Sequence, residues 1–116
     1  MAIAPMTVVE TDTFLNRAQA ILTESERANL VAFLASNPEA GNVMPGTGGA
    51  RKVRWSIQGR GKRGGARTIY YYHSDTIPLF LLDIYAKNQK ANLSEADKRV
   101  LKRVLAEIAR QYTKRS

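Results

Sequence analysis

Cysteine is missing from the 116-residue sequence, which excludes disulfides, thiolate metal sites and thiol catalysis. Histidine occurs once, at His73, so a His-rich metal site within one chain is excluded as well. No Asp or Glu lies between Glu39 and Asp75, and paired carboxylates for acid–base work are therefore absent from the middle of the chain. Long apolar runs are lacking too. The longest, near Pro78 to Leu82, is the size of a strand and far short of a membrane span. The N-terminal MAIAPMTVVETD has no basic n-region, and Pro5 and Glu10 interrupt it, so it does not read as a signal peptide and the expected compartment is the cytoplasm.

What is present is concentrated charge. Arg51, Lys52, Arg54, Arg60, Lys62, Arg63 and Arg67 supply seven cations, against a formal net charge of +8 for the whole chain. All eight glycines fall between Gly41 and Gly65. One short region thus holds nearly all the excess charge and the most permissive backbone, and its natural partner is a polyanion. A pI of about 10.1 favours nucleic acid, although basic proteins also bind anionic membranes and acidic protein partners. The length suits one domain spanning 1–116, and the hydrophobic fraction of 44% is that of an ordinary globular protein.

Thr7-Val8-Val9 is a short β-type run. Thr11 or Asp12 can cap a helix from Thr13 to about Ile21, and Thr23 with Glu26 fits the capping box of a second helix that ends at Asn37-Pro38. Leu30, Val31, Phe33 and Leu34 give that helix an apolar face, and the two helices make a hairpin suited to covering one sheet face. Gly41 to Gly49 reads as a loop, either a plain connector or a segment that approaches a ligand closely.

From Arg51 the period changes to two. In RKVRWSIQ, Val53, Trp55 and Ile57 point one way and Lys52, Arg54, Ser56 and Gln58 the other, giving a half-buried strand with a cationic outer face. Gly59 to Gly65 is a glycine- and cation-rich hairpin loop, and ARTIYYYH is the returning strand. Pro78 to Tyr85 is nearly continuous apolar sequence and reads as a central strand. Ser94 and Asp97 open a last helix whose stripe is Val100, Leu101, Val104, Leu105, Ile108, Ala109 and Tyr112, with a solvated basic remainder. The resulting order is β-α-α-β-β-β-α: a small α+β domain with an antiparallel sheet.

Few of these residues suit familiar enzyme chemistry. His73 and Ser74 are strand neighbours that point to opposite faces, and the GxGKRGG stretch lacks both the P-loop spacing and a following helix. What remains is a cationic face on which Lys52 and Arg54 stand beside Arg67, with Arg60, Lys62 and Arg63 at the turn. Phosphates suit such a face, and tyrosines nearby can either stack on bases or simply pack the sheet. Metal-free RNA cleavage needs little more: the 2′-hydroxyl attacks phosphorus, cations neutralise the developing charge, and a lysine with a pKa lowered by neighbouring cations can act as base.

The combination GTGGARKVRW, GRGKRGGARTIYYY, LFLLDIYAKN and the helix start Leu93, Ser94, Lys98, Leu101 resembles the RelE/HigB-like toxins of bacterial type II toxin–antitoxin systems, the HigB-type branch above all. The resemblance covers about Gly46 to Leu101. It implies a microbial-RNase-like fold with the helices on one face of a twisted antiparallel sheet. It also implies mRNA cleavage in the ribosomal A site without a cofactor. A cognate antitoxin, expected to be a helix-turn-helix protein that alone contacts operator DNA, would neutralise the toxin. Carried over, Lys52 and Arg54 match the family's paired basic positions and Arg67 its phosphate-contacting arginine, so these three are the expected catalytic residues. Arg51, Arg60, Lys62, Arg63, Tyr85 and Lys87 are the expected RNA-binding ones. The family's further arginine and base-stacking tyrosine after the last strand have no direct counterpart in Lys87-Asn88-Gln89-Lys90; Lys87 or Lys90 is the expected substitute for the arginine, and Tyr85 for the stacking ring. Two other readings stand beside the toxin: a catalytically inactive RNA- or antitoxin-binding module, and a DNA-binding regulator, which the lack of a basic recognition helix disfavours.

Overall fold

The computed structural model describes residues 5–56, 65–87 and 93–113. The elements are β1 (Val8–Glu10), α1 (Asp12–Ile21), α2 (Glu24–Ser36), β2 (Asn42–Val43), β3 (Ala50–Trp55), β4 (Ala66–Tyr71), β5 (Leu79–Ala86) and α3 (Glu95–Thr113). They build a five-stranded sheet in the order β1-β5-β4-β3-β2. The α+β class and the order of the long elements are those read from the sequence. The sheet is antiparallel except at β1, which runs parallel to β5, and the loop after Gly41 contributes the short additional strand β2.

Local chemistry sets the helix starts. The Thr11 hydroxyl accepts from the Phe14 amide to cap α1. Thr23 and Glu26 exchange side-chain-to-backbone hydrogen bonds of 2.8 and 3.1 Å to open α2, and Ser94 and Asp97 repeat the device at α3.

The layering differs from the expectation. Along β4, Ala66 and Tyr70 join Phe14, Ala18, Ile21, Leu30 and Leu34 of α1 and α2 in one apolar cluster. Ile69 and Tyr71 join Ala50, Tyr85 and Leu105 in a second, flanked by Leu101 and Ile108. Successive strand residues point to opposite faces, so α1 and α2 cover one face and α3 covers the other. The helices are not all on one face. Sequence period alone could not assign α3, because its stripe fits either face of a sheet buried on both.

All three tyrosines of the IYYY run are structural. Tyr70 is fully buried, and its hydroxyl donates to the Pro38 carbonyl and accepts from the Gly41 amide, both at 2.8 Å. Tyr71 lies in the α3-side cluster against Gly49, and Tyr72 donates to the Asp75 carboxylate. Gly48, at φ +79°, stands so near α3 that an added Cβ would lie 3.3 Å from the Cα of Lys102. The close approach expected of the 41–49 loop is therefore to the chain's own helix. At the sheet edge, Arg17 of α1 reaches Asp83 of β5 at 3.3 Å.

Burial raises the Tyr70 hydroxyl above its ordinary value of 10.0, against the opposing pull of the Gly41 amide and Arg51; burial also raises Tyr71 and Tyr85. Each binds its proton more tightly folded than unfolded, so their contribution to stability is complete below pH 10 and declines as pH rises beyond it. Urea titrations across pH 8–11 should show that decline. Tyr70→Phe should cost about 1–3 kcal/mol at neutral pH, because the Pro38 carbonyl and Gly41 amide lose their partner.

Candidate nucleic-acid interface

Within the β3–β4 pair, Arg54 stands directly opposite Arg67, and Arg67 stands opposite Tyr85 on β5. These three residues form one row across three strands, on the face that carries α3. Lys52, two residues back along β3, shares that face about 7 Å away. Arg54 is exposed, Lys52 and Arg67 are half-buried, and Tyr85 is 5% exposed among the α3-side apolar residues. Lys87 follows β5 with an exposed side chain, and its amide donates to the Gly65 carbonyl at 3.2 Å. The helix covers Ala50, Ile69 and Tyr71 at the other end of the same face. The same cluster takes in Tyr85, so within the row it is Arg54, and in part Arg67, that reaches solvent.

Placing like charges directly opposite on a sheet is destabilising, which makes the Arg54–Arg67 pair a poor choice for structure and a good one for an anion. Two forked guanidiniums set about 5 Å apart at the backbone match the oxygens of one phosphate or of neighbouring phosphates. Tyr85 keeps its proton at neutral pH, since burial raises its pKa more than Arg67 lowers it. A hydroxyl that keeps its proton can donate a hydrogen bond but cannot serve as a phenolate base. The burial of Tyr85 also leaves too little ring surface for a base to stack on, unlike the stacking role expected for it.

Arg51 is displaced from the expected set. It points to the opposite face, where its guanidinium donates to the carbonyls of Gly41 at 2.8 Å and Glu39 at 3.4 Å and lies 6.0 Å from the Tyr72 ring. A brace for the loop after α2 is what its geometry describes, and strand parity already separated it from Lys52 and Arg54. Arg60, Lys62 and Arg63 lie outside the described residues. Val53 and Trp55 are structural as expected, with Trp55 against Phe33 at 5.3 Å. One neighbour of the row has no signature in the residue pattern: Glu26 and Asn29 of α2 meet Arg54, Trp55 and Ser56 around an open cleft of ≈ 560 Å³. Only the tertiary fold brings α2 to the end of β3.

Gly65 holds the row in register. It has φ +62°, and a Cβ there would fall 2.2 Å from the Trp55 carbonyl oxygen. No side chain fits at that point.

A family model described as "RelE toxin of RelE / RelB toxin-antitoxin system" matches residues 13–116. Among solved structures, the chain is similar to a double arginine-to-alanine variant of the E. coli toxin RelE in the free state, at 14% identity and a TM-score of 0.52, covering 97% of this chain and 98% of the other. That likeness is one of fold.

Two outcomes follow from the row's electrostatics and its backbone. Arg54→Ala should raise stability by about 0.2–1 kcal/mol in low salt, as the opposed pair is relieved, with the gain shrinking as salt screens it. Gly65→Ala should cost more than about 1 kcal/mol, through its left-handed backbone and the clash with the Trp55 carbonyl. Thermal melts at two ionic strengths check both.

Proposed function

The chain belongs to the RelE toxin family, and on that footing we propose that it is the toxin of a type II toxin–antitoxin system that cleaves mRNA in the ribosomal A site. The observation that carries the reading is the cationic row Arg54–Arg67, with Lys52 beside it, left open at the end of a sheet face that is otherwise covered. The scissile phosphate binds across Arg54 and Arg67. The adjacent 2′-oxygen, losing its proton, attacks phosphorus; the bond to the 5′-oxygen breaks, and that oxygen takes up a proton. The products are a 2′,3′-cyclic phosphate and a 5′-hydroxyl. Lys52, Arg54 and Arg67 offset the negative charge that grows on the phosphoryl oxygens, where a well-placed donor contributes on the order of 10²–10³-fold. Tyr85, protonated and held beside Arg67, orients that guanidinium or donates to the phosphate. No step requires a metal ion, and cleavage is expected to survive chelation.

Docking on the message and the ribosome falls to Lys87 and, in the sequence, to Arg60, Lys62 and Arg63. The GKRGG stretch that holds the last two supports the HigB-type branch, whose antitoxins would be helix-turn-helix proteins. A cytoplasmic site of action follows from the proposed substrate. The second reading, an RNA- or antitoxin-binding module without chemistry, is favoured by one feature: the tyrosine on the row is buried.

Mapping mRNA 5′ ends after expression of the chain without its antitoxin separates the two. The toxin reading predicts codon-phased cuts on translated messages, resistance of the reaction to EDTA, and a loss of roughly 10²-fold or more on Arg67→Ala or Arg54→Ala. Salt-sensitive RNA binding without cleavage products would establish the second reading instead.

A further inference from the structure

The outer flank of α3 is apolar where a surface helix is normally polar. Val100 is 50% exposed and Val104 43%, although Leu105 on the same helix is fully buried. Val100, Val104, Ile108 and Tyr112 recur every four residues, so they form one continuous ridge. The ridge starts on the outer flank and turns into the seam with the sheet, where the Tyr112 ring meets Phe80 edge-on at 6.0 Å. A shallow groove of ≈ 380 Å³ runs beside it, lined by Arg103, Val104, Glu107, Ile108 and Gln111. On the solvent side stand Arg99 and Arg103, both exposed. Arg110 is paired with Glu107.

We propose that this ridge is where the antitoxin docks, through an amphipathic helix with an apolar stripe toward Val100, Val104 and Ile108 and an acidic row toward Arg99 and Arg103. The inference rests on the reading of the chain as a toxin and names the surface its partner uses. A four-residue ridge is the feature that packs into the groove of another helix, and its length of about 18 Å accepts about three turns of one. Charge decides between occupants. A second copy of this chain would bring two molecules of net charge +8 together, whereas an acidic segment gains from the same field. The surface is separate from the basic row, so neutralisation by this contact is indirect: the bulk of the bound partner keeps the toxin out of the ribosomal site.

The test uses the full-length chain coexpressed with the protein encoded by the adjacent reading frame. Val104→Glu and Val104→Lys change an exposed side chain, and unchanged thermal melts would certify the fold. Val104→Glu should weaken binding tenfold or more, since a desolvated centre is lost and an acid now faces acids, and growth arrest should return despite the partner. Val104→Lys should lose clearly less, and RNA cleavage by either free variant should match the parent. If both variants bind as tightly as the parent while arrest and cleavage persist, the docking surface is wrong and the toxin reading stands. Equal losses for Glu and Lys would overturn the acidic character of the partner. A parent chain that neither arrests growth nor binds the adjacent protein would overturn the toxin reading, and this proposal with it.

Discussion

The structure depends on the register of β4. That strand is packed from both sides, with Ala66 and Tyr70 in the core beneath α1 and α2 and with Ile69 and Tyr71 beneath α3. A slip of one residue would turn Arg67 into the α1–α2 core and Tyr70 out of it, at a cost no hairpin bond could offset. Two-sided burial therefore fixes more than stability. It decides that Arg67 faces Arg54 and Tyr85, and that the charged row lies on the α3 face. Tyr70 adds a clamp from below, holding the exit of α2 and the start of the 41–49 loop to one hydroxyl.

Much of this was legible in the residues because it is local. Capping boxes, the period of two through Arg51–Trp55, and the apolar run of β5 act over a few positions, and each has one favoured backbone. The α+β class followed from their order. The face chosen by α3 did not, since it depends on which side of β4 has space left after α1 and α2 have packed. Nor did the parallel pairing of β1: three residues carry no directional signal, and the direction comes from Thr11 tying the strand end to Leu81.

The basic stretch shows the same division. As composition it is a single patch, yet the sheet separates it by parity, sending Lys52 and Arg54 to one face and Arg51 to the other. Arg51 parts from its neighbours because charge counts do not record what a guanidinium touches, and here it touches two carbonyls. Tyr85 was expected to offer a ring, and offers at most its hydroxyl, because α3 closes over that face. For Lys52, Arg54 and Arg67 the pattern was sufficient, since strand pairing alone brings them together.

The ion pair between Arg17 and Asp83 has a bearing beyond the contact itself. β1 pairs with β5 only from Leu79 to Leu81, so among the described residues no strand lies beside the outer edge of β5 from Leu82 to Ala86. An apolar strand with an open edge is a template for joining another molecule edge to edge. Arg17, half exposed and fixed to Asp83 on that edge, sets a charge where an incoming strand would have to lie. Charge placed on an edge in this way is a feature that disfavours edge-to-edge pairing.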